Sequence, residues 1–331
     1  MVYPIKNKNI VNPNIDKLPL VYAVVLNFNG FDDSERCICS LKESIYPNLK
    51  IVIVDNLSND LSGVKLKDTF PELPVIFTNK NMGYAGGMNL GAKFALKNNA
   101  DLILLTNNDV VFTKNFLQPL LATISTKEKI GIVSPKILYL NDKKTIYSAG
   151  ADFKVFLGGA YNPYRGKPAH KFGNQLREIT FADGSCLLVK KDVFWKVGYL
   201  DEKYFMYFED LDFSEKVRKY FKIYFVPDSI VYHKTGAGSN WSNYSSLYYY
   251  FYTRNRLIFF SNHNFLIKVY GIIFTLFNTC AKSLVLIKGY FFNRSDRLVI
   301  KNSVISIWKG TFSGLKIILN LSKVEDNKLK N

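Results

Sequence analysis

Polar residues directly follow three apolar segments in the first third of the chain. The segments span residues 20–26, 50–54 and 101–106, and the residues after them are Asn27, Asp55, Asn107, Asn108 and Asp109. The segments are short, aliphatic and rich in β-branched residues, which is typical of buried parallel strands. Because ligands bind beyond the carboxyl ends of such strands, these polar residues are candidates for a binding site.

Two kinds of chemistry fit these strand ends. Asp55 could accept hydrogen bonds from a nucleotide base or ribose, although Asp and Asn also end strands as ordinary turn residues. Asp109 could provide a carboxylate for a hard cation such as Mg²⁺ or Mn²⁺, with Asn107 helping through its amide oxygen or a bound water. The alternative for Asp109 is a helix cap, because residues 112–124 have a helical pattern.

A run of small residues, Asn79 to Gly91, precedes and opens a predicted helix over Ala85–Lys97. Glycines let the backbone approach a ligand closely, and a helix N-terminus favours anions. The run has neither the Gly-x-Gly-x-x-Gly pattern of dinucleotide-binding proteins nor the Gly-Lys-Ser/Thr of P-loops, which argues against both classes.

Two further motifs lie in the second half of the chain. Glu209, Asp210 and Asp212 precede a helical stretch, where one carboxylate could cap the helix or serve as a general base. His233 is one of three histidines and lies between an apolar run and a glycine-rich segment. A lone histidine is usually structural, but this position makes His233 a candidate metal ligand.

The elements that must position these residues alternate between strands and helices. Asp33 or Ser34 is predicted to cap a helix with Ile38, Leu41 and Ile45 on one face. Residues 75–78 read as a third short strand, so the first half is a βαβ series, typical of an open, doubly wound sheet. Later, residues 131–134 and 223–226 read as strands and 211–220 as a helix.

The net charge of +17 calls for a negatively charged partner such as nucleic acid, anionic lipid or a phosphorylated substrate. Lys and Arg are interleaved with aromatic residues from Tyr244 to the end. Residues 269–287 are the most apolar window, but Lys282 lies inside it, and a charge at mid-bilayer costs about 2.5–3.5 kcal/mol on insertion scales. We therefore expect helices that lie on a membrane rather than span it, with a packed helical hairpin as the alternative.

The remaining features concern the chain's organisation. Residues 1–18 read as a mobile leader without the apolar core of a secretory signal. The four cysteines form no metal or disulfide spacing, which favours a reduced, cytoplasmic setting. We expect one folded domain over 19–243, in which the pattern changes near residue 129, followed by a helical extension over 244–331.

Taken together, the order and spacing of the motifs resemble the GT-A fold glycosyltransferases of family 2, in particular the bacterial rhamnosyltransferase and galactofuranosyltransferase branch. The resemblance covers roughly residues 20 to 260. The matching segments are Val24–Gly30, Val54–Ser58, Asn81–Gly87 with Asn89, Leu104–Asp109, Ala182–Ser185, Gly198–Phe205, Glu209–Asp212, His233 and Tyr252–Arg256.

The resemblance implies an α/β GT-A fold, a Rossmann-like doubly wound mixed sheet, and an inverting transfer assisted by Mn²⁺ or Mg²⁺. It makes 19–243 the catalytic domain, with a nucleotide-sugar half (19–128) and an acceptor half (129–243). It implies that Asp210 is the catalytic base, and that Asp109, His233 and Asn107 hold the metal. Asn stands at the first place of the family's Asp-x-Asp site, which makes His233 more important. The implied donor contacts are Asn27, Asp55, Asn81, Gly83, Gly86, Asn107 and Asn108, and the implied acceptor contacts are Asp183, Gly184 and Glu209.

The implied donor is dTDP-rhamnose or a UDP-sugar, and the acceptor is a hydroxyl of a cell-surface glycan or lipid-linked oligosaccharide. We expect the enzyme to be peripheral on the inner face of the cell membrane, docked through its basic, aromatic tail on anionic lipid. Two rivals remain open. One is a polyprenyl-phosphate sugar transferase, and the other is a non-catalytic module that binds nucleic acid or anionic glycan; we expect no nucleic-acid partner.

Overall fold

The computed structural model describes residues 18–126, 129–234, 245–292 and 297–319. Residues 1–17 of the predicted leader and the predicted boundary at Tyr244 lie outside these ranges. The strands are β1 (Val21–Asn27), β2 (Leu49–Asp55), β3 (Val75–Phe77), β4 (Leu102–Asn107), β5 (Val110–Phe112), β6 (Ile130–Tyr139), β7 (Ile146–Ser148), β8 (Asp152–Lys154), β9 (Gly159–Tyr161), β10 (Arg177–Glu178), β11 (Cys186–Lys190) and β12 (Lys222–His233). The helices are α1 (Phe31–Lys42), α2 (Ser62–Thr69), α3 (Gly83–Lys97), α4 (Leu117–Ile124), α5 (Lys191–Val197), α6 (Glu209–Arg218), α7 (Ser246–Ser261), α8 (Phe265–Phe292) and α9 (Arg297–Ile318).

Within the described residues, ten strands form one mixed sheet with β10-β12-β6-β11-β4-β1-β2-β3 as its path; β5 pairs with β12, and β7 with β6. The neighbours of β1 and β2 on this path run parallel, and β11 is antiparallel to both β4 and β6. The predicted doubly wound mixed sheet is therefore confirmed. Its parallel half ends at the edge where the polar residues lie.

Both faces of the sheet are covered, which explains why the central strands are apolar throughout. In β1, Val21, Ala23 and Val25 belong to the core that α1, α2 and α4 complete on one face. Tyr22 and Val24 belong to the core on the other face, with α3, α5 and α6. Period-two side-chain alternation sends successive residues to opposite cores, so neither face tolerates polar residues.

The first helix begins earlier than its sequence predicts. α1 starts at Phe31 after Gly30, and no side chain caps it. Ser34, a predicted cap, lies inside the helix and donates its hydroxyl to Asn27 Oδ1 (2.7 Å) instead. The prediction that Ile45 shares the buried face is wrong, because the helix ends at Lys42 and Ile45 is 62% exposed.

The helix after the predicted boundary packs into the rest of the molecule. Ile258 and Phe259 of α7 share a buried cluster with Phe181, Tyr204 and Phe208. α8 and α9 pack in turn on α7. Among the described residues, α8 is the one helix that is long and apolar enough to cross a membrane, and the qualifying segment is 265–291. All four cysteines lie within the described residues and are free.

Candidate active site

Strand pairing places the polar strand ends side by side. Asn27 of β1 pairs with Asp55 of β2, and Leu26 of β1 pairs with Asn107 of β4. Because β11 runs antiparallel to β4, the residues that precede β11 lie beside the end of β4. There the Asn107 amide donates to the Ser185 carbonyl (3.0 Å). One edge of the sheet therefore gathers the ends of four strands.

Asp55 is held in a fixed orientation by its neighbours. Asn27 Nδ2 donates to Asp55 Oδ1 (2.7 Å), and the Ser58 amide donates to Oδ2 (3.1 Å). Gly63 closes the other side, where an added Cβ would lie 2.3 Å from the Asp55 carboxyl carbon. Asn27 is completely buried, so the structure places it behind Asp55 as the residue that orients this carboxylate.

The turn before α3 is tied to the end of β2. Asn56 donates to Asn81 Oδ1 (3.1 Å) and to the Gly83 carbonyl (3.0 Å), and it accepts from the Met82 amide (2.9 Å). Asn56 has no predicted role, although it stands next to Asp55 in the motif. Gly83 has a φ of +69°, the left-handed conformation that favours glycine.

The glycines of α3 are needed for contact with the protein itself. A Cβ at Gly83 would meet the Phe205 carbonyl at 2.3 Å, and one at Gly86 would meet Met82 Cβ at 2.7 Å. Asn81 accepts from the Gly83 amide (2.9 Å) within the same turn. The three residues therefore shape the turn beside Asp55, and their contact with a donor stays a prediction.

Asp109 and His233 meet through strand pairing. Asp109 immediately precedes β5, which pairs antiparallel with β12 and brings Val110 opposite His233. The Lys234 amide donates to the Asp109 carbonyl (2.9 Å) at the same place. Because Asp109 precedes a strand and not a helix, its alternative role as a helix cap is wrong. His233 is the last residue of β12 and is buried.

The Asp109 and His233 side chains form an arrangement that suits a cation. His233 Nε2 lies 3.0 Å from Asp109 Oδ1, yet neither atom makes a hydrogen bond of acceptable geometry, and both are buried. A carboxylate oxygen is a ligand that Mn²⁺ prefers, and it converges here with an imidazole nitrogen, a ligand of first-row transition metals. Among the described residues, no three His, Cys, Asp or Glu side chains group as a complete metal site. The pair would therefore share a cation with other ligands.

The two asparagines before Asp109 differ in their surroundings. Asn108 Nδ2 donates to Ser34 Oγ (2.9 Å), which in turn donates to Asn27, so its amide belongs to the network behind Asp55. Asn107 ends β4 and is half-buried; its carbonyl accepts from the Thr106 hydroxyl (3.2 Å). Asn107 thus lies two residues before Asp109 at the end of β4, and its contact with a metal or donor stays a prediction.

Asp210 is fixed at the N-terminus of α6 by backbone donors. The Gly184 amide donates to Oδ2 (3.0 Å), and the Leu211 amide donates to Oδ1 (2.8 Å). Burial and the nearby Asp183 carboxylate together raise the pKa of Asp210 to about 7, although the backbone donors lower it. A carboxylate with such a pKa is poised to accept a proton at neutral pH.

Glu209 and Tyr84 lie beside Asp210 and Gly184. Glu209 is 5% exposed, and its Oε2 has no hydrogen-bond partner. Burial raises the pKa of Glu209 well above its usual range, with Asp210 adding to the effect. The Tyr84 hydroxyl donates to the Gly184 carbonyl, which places the first turn of α3 against the predicted acceptor residues.

Two residues beside the site carry no sequence signal. The Tyr147 ring lies 4.7 Å from the His233 ring, and the Arg165 guanidinium lies 4.3 Å from the centre of the Tyr147 ring. Burial raises the pKa of Tyr147, and the Asp183 and Asp109 carboxylates contribute. Both residues lie in the mixed region after β6, where no motif marks them, so only the fold could identify them.

These contacts join the predicted residues around one edge of the sheet. Asp109 and His233 touch directly, and Tyr147 packs on His233 within electrostatic reach of Asp183. The Asp183 carboxylate raises the pKa of Asp210, and the backbone amide of Gly184, the residue after Asp183, donates to the Asp210 carboxylate. Residues that are more than a hundred positions apart in sequence, such as Asp109 and His233, therefore come together in one region.

The GT-A class of glycosyltransferases has an open mixed sheet with a site beyond its strand ends, and this chain has the same arrangement. The sequence profile of the family described as Glycosyl transferase family 2 matches residues 22–198. The chain therefore belongs to glycosyl transferase family 2, and the predicted family is confirmed.

Three relatives show where the chain stands within this family. A low-salt glycan biosynthesis hexosyltransferase, Agl10, of Haloferax volcanii is 28% identical over 197 residues, 59% of this chain and 61% of that protein. An N-acetylglucosaminyl-diphospho-decaprenol L-rhamnosyltransferase of Mycobacterium tuberculosis is 23% identical over 66% of this chain and 76% of its own length. The dTDP-rhamnosyl transferase RfbF of Shigella flexneri is 25% identical over 78% and 86%.

A solved structure confirms the fold over nearly the whole chain. The mannosyltransferase PcManGT of Pyrobaculum calidifontis, solved in complex with GDP-Man and Mn²⁺, has a TM-score of 0.55 at 13% identity. The likeness covers 96% of this chain and 92% of that one. It therefore includes the C-terminal helices as well as the sheet.

Proposed function

We propose that this protein is an inverting glycosyltransferase, which moves a sugar from a nucleotide-diphosphate donor to a hydroxyl group of a glycan acceptor. The observation that carries the proposal is the pairing of two groups at one sheet edge. Asp210 has a pKa of about 7 and is held by two backbone amides, and the unsatisfied Asp109–His233 pair lies in the same site. Asp210 suits the role of a base, and the Asp109–His233 pair suits a metal-bound diphosphate.

The reaction follows from these positions. The acceptor hydroxyl oxygen attacks the anomeric carbon of the donor sugar, and its proton passes to the Asp210 carboxylate. As the new carbon–oxygen bond forms, the bond from the anomeric carbon to the diphosphate breaks, and its electron pair leaves with the diphosphate oxygen. Attack and departure occur on opposite faces of the sugar, so one displacement inverts the anomeric centre. A positioned base contributes about 10²–10⁴-fold to such a step.

The chain's residues fit a divalent cation, Mn²⁺ or Mg²⁺. Asp109 and His233 would hold it, with Asn107 close by at the end of β4. When bound, the cation neutralises negative charge that builds up on the departing diphosphate. A single carboxylate in this set leaves positive charge on the cation available for the phosphate oxygens of the donor.

The relatives support a class of donor and acceptor. RfbF is described as a dTDP-rhamnosyl transferase, and the mycobacterial relative as acting on a diphospho-decaprenol-linked sugar. We propose a dTDP-rhamnose or UDP-sugar donor, bound with its base near Asp55, and an acceptor sugar that is part of a surface glycan or linked to lipid. Asp183, Gly184 and Glu209 would contact the acceptor. These residues surround Asp210 directly.

The site favours a hydroxyl acceptor over the lipid phosphate of a polyprenyl-phosphate sugar transferase. A phosphate oxygen is already anionic near neutral pH and needs no base to activate it, whereas a sugar hydroxyl does. The Asp183 carboxylate and the deprotonated form of Asp210 also lie where the acceptor would sit, and their negative charge would repel a phosphate.

A panel of nucleotide sugars tests the proposal. The purified protein is incubated with each donor, with and without Mn²⁺, and thermal stabilisation selects the donor. Transfer to a synthetic lipid-linked disaccharide is then followed by mass spectrometry, and the anomeric configuration of the product is read by NMR. Retention of configuration, or no stabilisation by any nucleotide sugar, would contradict the proposal.

We further propose that the enzyme works on the inner membrane face, where a lipid-linked acceptor is found. Along α8, one stripe of large apolar side chains is exposed: Leu266, Ile273, Phe277, Leu284 and Phe291. Lys282 does not lie on this stripe, because its ammonium group is 5.4 Å from the Tyr252 ring of α7. α8 and α9 contain Lys and Arg but no Asp or Glu, so the apolar stripe has a basic surround suited to anionic lipid.

Flotation of the full-length protein with liposomes tests this docking. We expect flotation with vesicles that contain anionic phospholipid, and weaker flotation with neutral vesicles or at high salt, because each Lys or Arg near an anionic leaflet contributes about 1 kcal/mol. A carbonate wash then distinguishes docking from spanning, since a peripheral protein is released and a spanning one is retained. Protein that stays in the soluble fraction with both vesicle types would contradict docking.

A further inference from the structure

The loop that leads into Asp210 has an unusual backbone. Phe205, Tyr207 and Phe208 have φ angles of 65°, 66° and 75°, all in the left-handed region. Residues other than glycine rarely adopt this conformation and persist in it only where their surroundings fix it. Phe208 immediately precedes α6, so the loop sets the direction in which α6 begins and hence where Asp210 lies.

One side chain from α7 supports this loop. Asn255 is 0% exposed, and its Nδ2 atom lies 2.8 Å from each of the carbonyl oxygens of Tyr204, Met206 and Tyr207. An amide nitrogen has two hydrogens, so the three carbonyls share them. The Tyr204 carbonyl also accepts from the Met206 amide (2.7 Å), so Asn255 adds a side-chain donor to a tight turn of the backbone.

Neighbouring residues of α7 hold the amide and the loop in place. Arg254 Nη1 donates to Asn255 Oδ1 (3.0 Å), which directs the amide nitrogen toward the loop. Phe251 stacks on Phe205 with ring centres 4.9 Å apart, and Tyr252 packs against Phe208 at 5.0 Å. The support therefore comes from a helix that lies beyond the matched family region, residues 22–198.

We propose that Asn255 is a positioning residue for sugar transfer, which holds the 204–208 loop so that Asp210 faces the acceptor hydroxyl. This rests on the proposed role of Asp210 as the base. The same loop also accepts a hydrogen bond from α3, since the Phe205 carbonyl accepts from the Ala85 amide (3.2 Å). Asn255 thus ties the acceptor side of the site to the C-terminal helices.

The test compares Asn255→Ala with Asn262→Ala in the full-length protein. Asn262 lies just after α7, and its amide contacts the side chains of Tyr204 (3.2 Å) and Asp212 (3.4 Å) but not the loop backbone. We expect kcat, per folded molecule, to fall about 10–100-fold in Asn255→Ala, because a small misplacement of a catalytic group has effects of this order. Asn262→Ala should keep kcat near wild type. Wild-type kcat in a folded Asn255→Ala protein would overturn the proposal.

A double variant separates positioning from general loss of structure. If Asn255 acts through Asp210, adding Asn255→Ala to Asp210→Asn should slow the enzyme little further. Losses that multiply would overturn the proposal. If Asn255→Ala does not fold, Asn255→Ser, which retains one donor, replaces it, and we expect an intermediate kcat; a folded Asn255→Ser protein with wild-type kcat would equally overturn the proposal.

The pH profile provides a further readout that a merely structural role would not change. A displaced Asp210 gains contact with water, so the rising limb of kcat/KM against pH should move to lower pH in Asn255→Ala; an unmoved limb would count against positioning. Asp183, Glu209 and Tyr84, the titratable groups that face Asp210, are unaltered in this variant.

The proposed function fails separately, if Asp210→Asn retains wild-type transfer. Loss of activity in Asp210→Asn together with normal Asn255→Ala would overturn only the present inference.

Discussion

At the scale of single residues, Asp210 carries the sharpest prediction. Replacing it with Asn preserves shape and removes the proton acceptor, so we expect kcat to fall about 10²–10⁴-fold. Donor affinity by calorimetry should stay unchanged, because the proposed role of Asp210 is toward the acceptor hydroxyl. Asp192→Asn is the matched control, since Asp192 also lies in the first turn of a helix, on the exposed surface of α5. Wild-type turnover of Asp210→Asn would remove the residue from its role.

The pH dependence of transfer follows from the same carboxylate. Asp210 must be deprotonated to accept the hydroxyl proton, and its pKa is raised to about 7 by burial and by Asp183. We therefore expect kcat/KM to rise as the pH increases through about 7, and the residual rate of Asp210→Asn to lack this limb. Stopped assays across a buffer series measure it. A flat wild-type profile between pH 5 and pH 9 would contradict the assignment; both limits are about two units from the expected midpoint.

His233 and Asp109 predict a metal-dependent effect on donor binding. We expect His233→Ala and Asp109→Ala each to weaken Mn²⁺-dependent donor binding at least about tenfold, since even second-shell changes at metal sites cost about 10–100-fold. Titration calorimetry with and without EDTA measures this. His170→Ala is the control, because His170 is exposed and remote in sequence from both ligands. Equal donor affinity in all variants would separate the pair from the metal.

At the scale of elements, helix α3 depends on having no side chains where it crosses β1. A Cβ at Gly91 would lie 2.1 Å from Val24 Cγ1, so we expect Gly91→Ala to destabilise the protein by about 1–3 kcal/mol. Gly289 in α8 is the matched control, because its Cβ would meet only Ile300 Cδ1 at 3.7 Å. Gly289→Ala should be neutral or stabilise by up to about 1 kcal/mol through helix propensity. Chemical denaturation compares the two, and equal stabilities would refute the packing argument.

Elements with strong local patterns were predictable from the sequence, and those shaped by long-range contacts were not. The apolar runs at β1, β2 and β4 locate buried strands within a residue or two. β6 and β12 are longer than predicted. Pro135 lies inside β6, and β12 continues past the predicted end at residue 226 through a register shift between Val226 and Ile230.

The candidate site shows the same division between local and long-range information. Asp55, Asp109 and Asp210 stand in motifs whose order along the chain points to them. Tyr147 stands in no motif, and Asn255 stands in the matching segment Tyr252–Arg256 without a predicted role. Contacts with residues distant in sequence identify both. The buried network behind Asp55, which includes Asn27 and Asn108, likewise becomes visible only when the strand ends are paired.

At the scale of the whole molecule, the C-terminal helices serve two surfaces at once. Their inner side packs on the catalytic domain, where Asn255 supports the loop before Asp210. Their outer side presents the apolar stripe of α8. The candidate site and the proposed membrane face are therefore joined through α7, so docking through the stripe would fix how the site is oriented above the bilayer.

This arrangement predicts that the stripe matters for membrane acceptors and not for the chemistry itself. Phe277 and Leu284 are 72% and 68% exposed, so Phe277→Glu/Leu284→Glu should not disturb the fold. Burying such side chains contributes about 1.5–3 kcal/mol each, so the double variant should lose at least about tenfold in vesicle affinity. Transfer to a lipid-linked acceptor in anionic vesicles should fall accordingly, while transfer to a short, water-soluble acceptor stays at the wild-type rate.

Trp195→Glu, which alters an exposed aromatic residue of α5, is the control and should leave both rates unchanged. Equal loss on both acceptors would mean that the stripe supports the active site, and unchanged transfer on vesicles would mean that the enzyme reaches its acceptor without docking through α8.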